Sequence, residues 1–272
     1  MPSNNSSNSS SNNNKKRNVL IGAGVALAAA ALGLASYSAT KPADTTIRPT
    51  EAKETAKGPA AEVETDPQSG VYPELEKLAR REAGDKLAQG RPDAPVVMVE
   101  YADFKCGFCG KFARDTEPEL VKKYVDNGTL RIEWRNFPIF GEESAAVARA
   151  SWAAGQQGRF WQFHSAAYAK GAKEKGFAAD RLAELAKEAG VPDLAKFTAD
   201  ANGEAAKASV QKDQTEGYSL NINATPAFLI NGRPIAGAMP DDVFVDAIEK
   251  AAKTAKSRPA GGTGAKNQGG DK

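Results

Sequence analysis

Cysteine and histidine are almost absent, with two of the first and one of the second in 272 residues. A structural zinc site needs four ligands, and beyond Cys106 and Cys109 the chain offers only His164 as a further soft ligand. A Cys-His pair or a Ser-His-Asp triad would have to be built on that same His164. Its neighbours Phe160, Trp161, Phe163 and Tyr168, on a segment of helical spacing, assign it to packing instead. Trp152 and Trp161 read as core residues of the same helices. Nor do the cysteines make a staple, because a bridge this short in sequence constrains the unfolded chain little. Charge of one sign is missing too: 36 Lys and Arg against 34 Asp and Glu leave a net charge of +2, no field to draw in nucleic acid. No internal repeat is present. Gly22-x-Gly24 lacks the strand and helix that a nucleotide loop requires.

The ends are compositionally distinct. Residues 1–17 open on a run of Ser and Asn that cannot bury enough apolar surface to order itself, and finish on Lys15-Lys16-Arg17. Residues 18–38 contain the uncharged run Val19 to Ala35, which reads as a membrane anchor or a signal sequence. Its length exceeds the usual signal-peptide core and favours the uncleaved anchor, although Ser36-Tyr37-Ser38 offers a small-x-small cleavage site. No cysteine comes just after the run to carry a lipid. The basic cluster ahead of it keeps the N-terminus in the cytoplasm and exports the chain beyond the run. Residues 39–71 then read as a flexible linker, 72–256 as one domain, and 257–272 as a disordered tail.

Within the domain, Tyr72 to Leu87 has the spacing of a lead-in helix. Val96 to Val99 is a short β-branched run, predicting a strand buried on both faces. Both cysteines come next in the stretch DFKCGFCG, residues 103–110, ahead of a helical pattern through Phe112, Leu120, Val121 and Tyr124 with a kink predicted at Pro118. Leu130 to Arg135 alternates apolar and charged residues, the period of a half-covered strand. Residues 142–220 form an Ala-rich helical block, with Leu182, Leu185, Ala186 and Ala189 on one face. Pro226 to Ile230 and Arg233 to Ile235 flank Asn231-Gly232, a hairpin signal. A last helix starts near Pro240, with Val243, Phe244, Ala247 and Ile248 facing inward.

The two cysteines therefore fall at a strand-to-helix junction. Unpaired N–H groups and the macrodipole at a helix N-terminus favour a thiolate at Cys106, and Lys105 adds a neighbouring positive charge. Cys106 is the candidate nucleophile, and Cys109, one turn deeper, the resolving thiol.

Four pieces in this order resemble the DsbA-like branch of thiol–disulfide oxidoreductases in the thioredoxin superfamily: CGFC, Arg135-Asn136-Phe137-Pro138, Phe160-Trp161-Gln162-Phe163-His164, and Ala224 to Pro240. The resemblance implies an α/β fold, a thioredoxin-like core with an all-helical subdomain (about residues 142–220) inserted between the second strand and the cis-Pro strand hairpin. It implies a redox-active pair Cys106–Cys109 with Gly107 and Phe108 as the active-site dipeptide, and no further cofactor or metal. Thr225 and Pro226 would be the cis-proline loop, whose backbone pairs with an extended substrate strand. Glu100 stands where family members carry a buried acid that can accept the Cys109 proton; the alternative is a strand-end glutamate in solvent. DsbA has a histidine between its cysteines, and Gly107-Phe108 supplies no such charge. No separate dimerisation domain precedes the fold, which points to a monomer. Implied partners are exported proteins with free thiols and a membrane reoxidant of DsbB or vitamin K epoxide reductase type. The expected function is disulfide formation outside the cytoplasm, with reductase or isomerase action on the same fold as the alternative and a static surface bridge as a weaker one.

Overall fold

A computed structural model describes residues 70–257. The segments assigned to an anchor or signal, to most of the linker and to nearly all of the tail lie outside them. Among the described residues no helix is long and apolar enough to cross a membrane.

Five strands form one sheet in the order β1-β3-β2-β4-β5. Its centre is β2 (Val96–Ala102), buried along its whole length. β2 runs parallel to β3 (Leu130–Asn136), from Val96 opposite Leu130 to Ala102 opposite Asn136. On its other side it runs antiparallel to β4 (Ala227–Ile230). Because side chains alternate along a strand, Val96 and Met98 point to one face and Val97, Val99 and Tyr101 to the other. The first set packs with Phe112, Leu120, Phe228, Phe244 and Ile248; the second packs with Phe137, Leu229, Leu75 and Leu78. β4 and β5 (Arg233–Ala236) close a hairpin at Asn231 and Gly232, whose φ values of 42° and 82° are the left-handed pair the Asn-Gly signal demands.

α2 (Gly107–Asp115) comes directly after β2 and its loop. It stops at Thr116, and Pro118 sits in the first turn of α3 (Glu117–Leu120), as the predicted break requires, since proline cannot donate to the carbonyl four residues back. A turn of π-helix, Val121–Val125, leads to β3. Between β3 and β4 lies the helical insertion: α4 (Glu142–Gln156), α5 (Phe160–Ala167), α6 (Ala179–Glu188), α7 (Leu194–Asn202) and α8 (Glu204–Ser219). α9 (Asp241–Ser257) covers the sheet with Phe244, Ala247 and Ile248 buried.

Two expectations need correcting. The lead-in helix is only α1 (Pro73–Glu76). The chain leaves helical geometry because the backbone N–H groups of Arg80 and Arg81 donate to the Glu133 carboxylate at 2.9 and 2.7 Å, and Arg81 takes a φ of 52°. The freed chain then adds β1 (Ala88–Gln89) antiparallel to β3. The second correction concerns β3, which is buried on both faces. Its charged side is covered by ion pairs: Arg131 and Arg135 with Glu133 at 2.9 and 3.1 Å, Arg135 with Glu216 at 2.9 Å, and Arg80 with Asp213 at 2.7 Å. The Tyr101 hydroxyl donates to Glu216 and the Asn136 N–H to Asp213. Period-two alternation identified the strand correctly; polar cover replaces the solvent it implied.

Candidate active site at the start of helix α2

The loop from β2 into α2 is held by Asp103, a residue the sequence did not single out. Its buried carboxylate accepts from the N–H groups of Lys105 (2.8 Å), Ile139 (2.6 Å) and Phe140 (3.3 Å) and from the Ser144 hydroxyl. The Lys105 contact is an Asx turn, and an aspartate at the end of an apolar run was the available signal. The Asp103 carbonyl also accepts from the Cys106 N–H at 2.9 Å. Cys106 thereby becomes the N-cap of α2, and its sulfur accepts from the Cys109 N–H at 3.3 Å.

Both thiols are free in this structure. Cys106 is 5 % exposed at the edge of the insertion's core, and Cys109 is wholly buried in it. Their proton affinities diverge. The Cys109 S–H, donating to the Cys106 sulfur, is the largest influence on Cys106 and brings it down to about 6 from 9.0 against an opposing cost of burial; Thr225 and the N–H groups of Cys109 and Phe108 add to the fall. Burial, then the neighbouring Cys106, pushes Cys109 well above its ordinary value. At neutral pH the pair holds one exposed-side thiolate and one buried thiol.

The expected cis bond is present at Thr225-Pro226, between α8 and β4. Cys106 in its thiol form donates to the Thr225 carbonyl at 3.2 Å. The buried Thr225 hydroxyl, engaged by no other group, is available to the Cys106 thiolate and favours it. Phe108 stands out at 67 % exposure, and Gly107 is exposed beside it.

Glu100 is buried, on the face of β2 that carries Met98, and neither carboxylate oxygen has a hydrogen-bond partner. The solvent-facing alternative is thus set aside. Burial first, then the nearby Glu117, raises its pKa well above 4.5. Glu117, unremarked in the sequence, is buried at the start of α3, accepts from Gln89 at 3.1 Å and is pushed up to about 8 by burial. Lys105 pairs with Glu143 of α4, and it is not among the groups that lower Cys106. His164 lies in an aromatic cage of Trp134, Trp161 and Tyr168, and burial lowers it to about 3, so it is a neutral packing residue.

A family model described as Thioredoxin matches residues 82–250. "Probable disulfide bond formation protein D" of Bacillus cereus is 33 % identical over 171 residues, spanning 60 % of this chain and 77 % of that protein. Among solved structures, oxidised BdbD from Bacillus subtilis superposes with a TM-score of 0.58 at 28 % identity, covering 62 % of this chain and 94 % of BdbD. α-DsbA1 of Wolbachia pipientis gives 0.59 at 23 % identity over 67 % of this chain and 98 % of its own, a likeness of fold. An ionised cysteine at a helix start, a buried partner thiol behind it and a cis-proline loop in front are set on a five-stranded sheet with a helical insertion, and the chain belongs to the DsbA-like branch of the thioredoxin family.

Proposed function

We propose that this protein oxidises pairs of cysteines in exported proteins outside the cytoplasm. The observation that carries the reading is the divided proton affinity of the pair, with Cys106 near 6 and Cys109 far above it. The working form is the Cys106–Cys109 disulfide, with no other cofactor. A substrate thiolate attacks the Cys106 sulfur, the bond to Cys109 breaks, and Cys109 leaves as a thiolate that takes up a proton. Glu100, which like Cys109 lies close enough to act on the buried Tyr168 and is itself inclined to hold a proton, is a suitable donor and acceptor for it. The substrate's second thiolate then attacks its own half of the mixed disulfide and releases Cys106 as the stabilised thiolate. Two electrons have passed from substrate to enzyme, and the substrate has gained a disulfide. Thr225 and Pro226 offer backbone to an extended substrate strand, and Gly107 and Phe108 shape the approach. Lys105, tied to Glu143, borders that approach.

The enzyme is restored by a membrane reoxidant of DsbB or vitamin K epoxide reductase type. Read from the sequence, residues 18–38 export the domain and either hold it at the membrane or are cleaved to release it, and the domain works as a monomer. Equilibrating the full chain with glutathione buffers tests the direction of electron flow. A potential nearer about −120 mV than about −270 mV is expected; a value at the lower end assigns the protein to reduction or isomerisation instead.

A further inference from the structure

The cleft in front of Cys106, about 740 Å³, is lined by Phe108, Phe140, Thr225 and three lysines, Lys105, Lys111 and Lys173, and no carboxylate lines it. Phe108 and Phe140 are among the exposed large apolar residues of the domain. Two of the lysines are engaged: Lys105 with Glu143, and Lys111 with Asp115 at 2.9 Å. Lys173 forms no ion pair with any described residue. It stands on the short 3-10 turn Lys173–Lys175 of the insertion, and its Nζ would meet a methyl group built on Gly107 at 3.6 Å. Its ammonium therefore overhangs the residue next to the nucleophile. A smaller recess of about 150 Å³, on the α2 side of Gly107, adds Arg114 and Lys170 against one acid, Glu174.

We propose that Lys173 is a specificity-determining residue that favours substrate segments carrying a carboxylate beside the reactive cysteine. The inference rests on Cys106 being the nucleophile and on substrate lying extended against Thr225. An extended chain advances about 3.3 Å per residue, so the residues flanking a cysteine held at Cys106 pass over Gly107 within reach of the Lys173 Nζ. The exposed aromatic rings take apolar flanking groups, and the unpaired ammonium selects a negative charge. At an exposed site this is worth a few-fold in rate, and salt weakens it. The exchange chemistry is unchanged: the peptide dithiol becomes a disulfide and the enzyme disulfide becomes two thiols.

The test mixes the oxidised full chain with three dithiol peptides, alike except for Glu, Gln or Lys beside the attacking cysteine. Wild type should oxidise the Glu peptide several-fold faster than the Lys peptide at low ionic strength. Lys173→Gln should shrink that ratio about threefold and Lys173→Glu about tenfold, and high salt should level all three proteins. A ratio that does not move in Lys173→Glu overturns the proposal. So does an equal change for all three peptides with a displaced pH midpoint for alkylation of Cys106 by neutral iodoacetamide, which would locate the action of Lys173 on the thiolate. If wild type oxidises none of the peptides, the fault lies with the underlying reading of the site.

Discussion

Replacing Cys109 by alanine should raise the pKa of Cys106. In the reduced protein the Cys109 S–H is the largest single support of the Cys106 thiolate, ahead of Thr225 and the backbone N–H groups of Cys109 and Phe108. A hydrogen bond to a charged group is worth about 1.5–3 kcal/mol, and each pKa unit corresponds to about 1.36 kcal/mol. Losing it should move Cys106 from about 6 to between about 7 and 8. The remaining N–H groups and the helix start keep it below 9.0, the ordinary value. The sign comes from linkage: a depressed thiol pKa stabilises the reduced folded state above the unfolded pKa, and this contribution fades as pH falls through about 6. At pH 7 it amounts to a factor of about 11 in the reduced-state population, or about 1.4 kcal/mol, and raises the reduction potential by about 30 mV. The assay is the pH dependence of alkylation by iodoacetamide. Wild type should show one step centred near 6, because Cys109 stays protonated, and Cys109→Ala one step at least one unit higher. A midpoint in Cys109→Ala within a few tenths of wild type would refute the reasoning and assign the acidity of Cys106 to the helix start alone.

Glu100→Gln should stabilise the protein increasingly as pH rises above about 4.5, because the native state holds the Glu100 proton where the unfolded chain has released it, and that difference lowers wild-type stability with pH. Urea unfolding of both proteins at pH 5 and pH 8 measures it; an equal difference at the two values contradicts the burial argument. Glu133→Ala should destabilise the domain by about 3–5 kcal/mol, since it strands buried Arg131 and Arg135 together with the N–H groups of Arg80 and Arg81. Its denaturant midpoint is the readout, and a loss below about 1 kcal/mol would mean that solvent replaces the carboxylate.

Local signals were the ones that survived from sequence to structure. The run Val96 to Val99, the Asn231-Gly232 turn, the break at Pro118 and the cysteines at a helix start each depend on residues close in the chain, and each is where the pattern put it. The failures depend on distant residues. β3 carries a charged face that alternation assigns to water, yet Arg80, Asp213 and Glu216 arrive from far away to cover it. The same carboxylate of Glu133 draws the Arg80 and Arg81 N–H groups out of the helical pattern that their own segment prefers. In the site, Lys105 sits next to the nucleophile in sequence, but Glu143 claims its charge. Lys173 is far away in sequence and hangs over Gly107 in space.

That exchange of lysines reflects where the insertion meets the core. Cys106, Cys109, Phe104 and Trp134 share one apolar cluster with Phe160, Phe163, Tyr168 and Leu185 of the inserted helices, so the reactive pair lies on the seam between the two parts. Phe104 stacks on Tyr168 with ring centroids 4.9 Å apart, and Arg114 of α2 donates to the Tyr168 carbonyl at 2.7 Å, which fixes the turn after α5 beside the active-site helix. The insertion therefore does two jobs for the chemistry. Its apolar side removes water from Cys109 and keeps that thiol protonated, while Lys173 on its rim contributes to the charge that an incoming thiolate meets. A thioredoxin core without the insertion would still place a sulfur at the head of a helix, but the inner thiol would lose much of its apolar cover. With less desolvation its proton affinity would fall toward the ordinary value, narrowing the gap that separates it from Cys106.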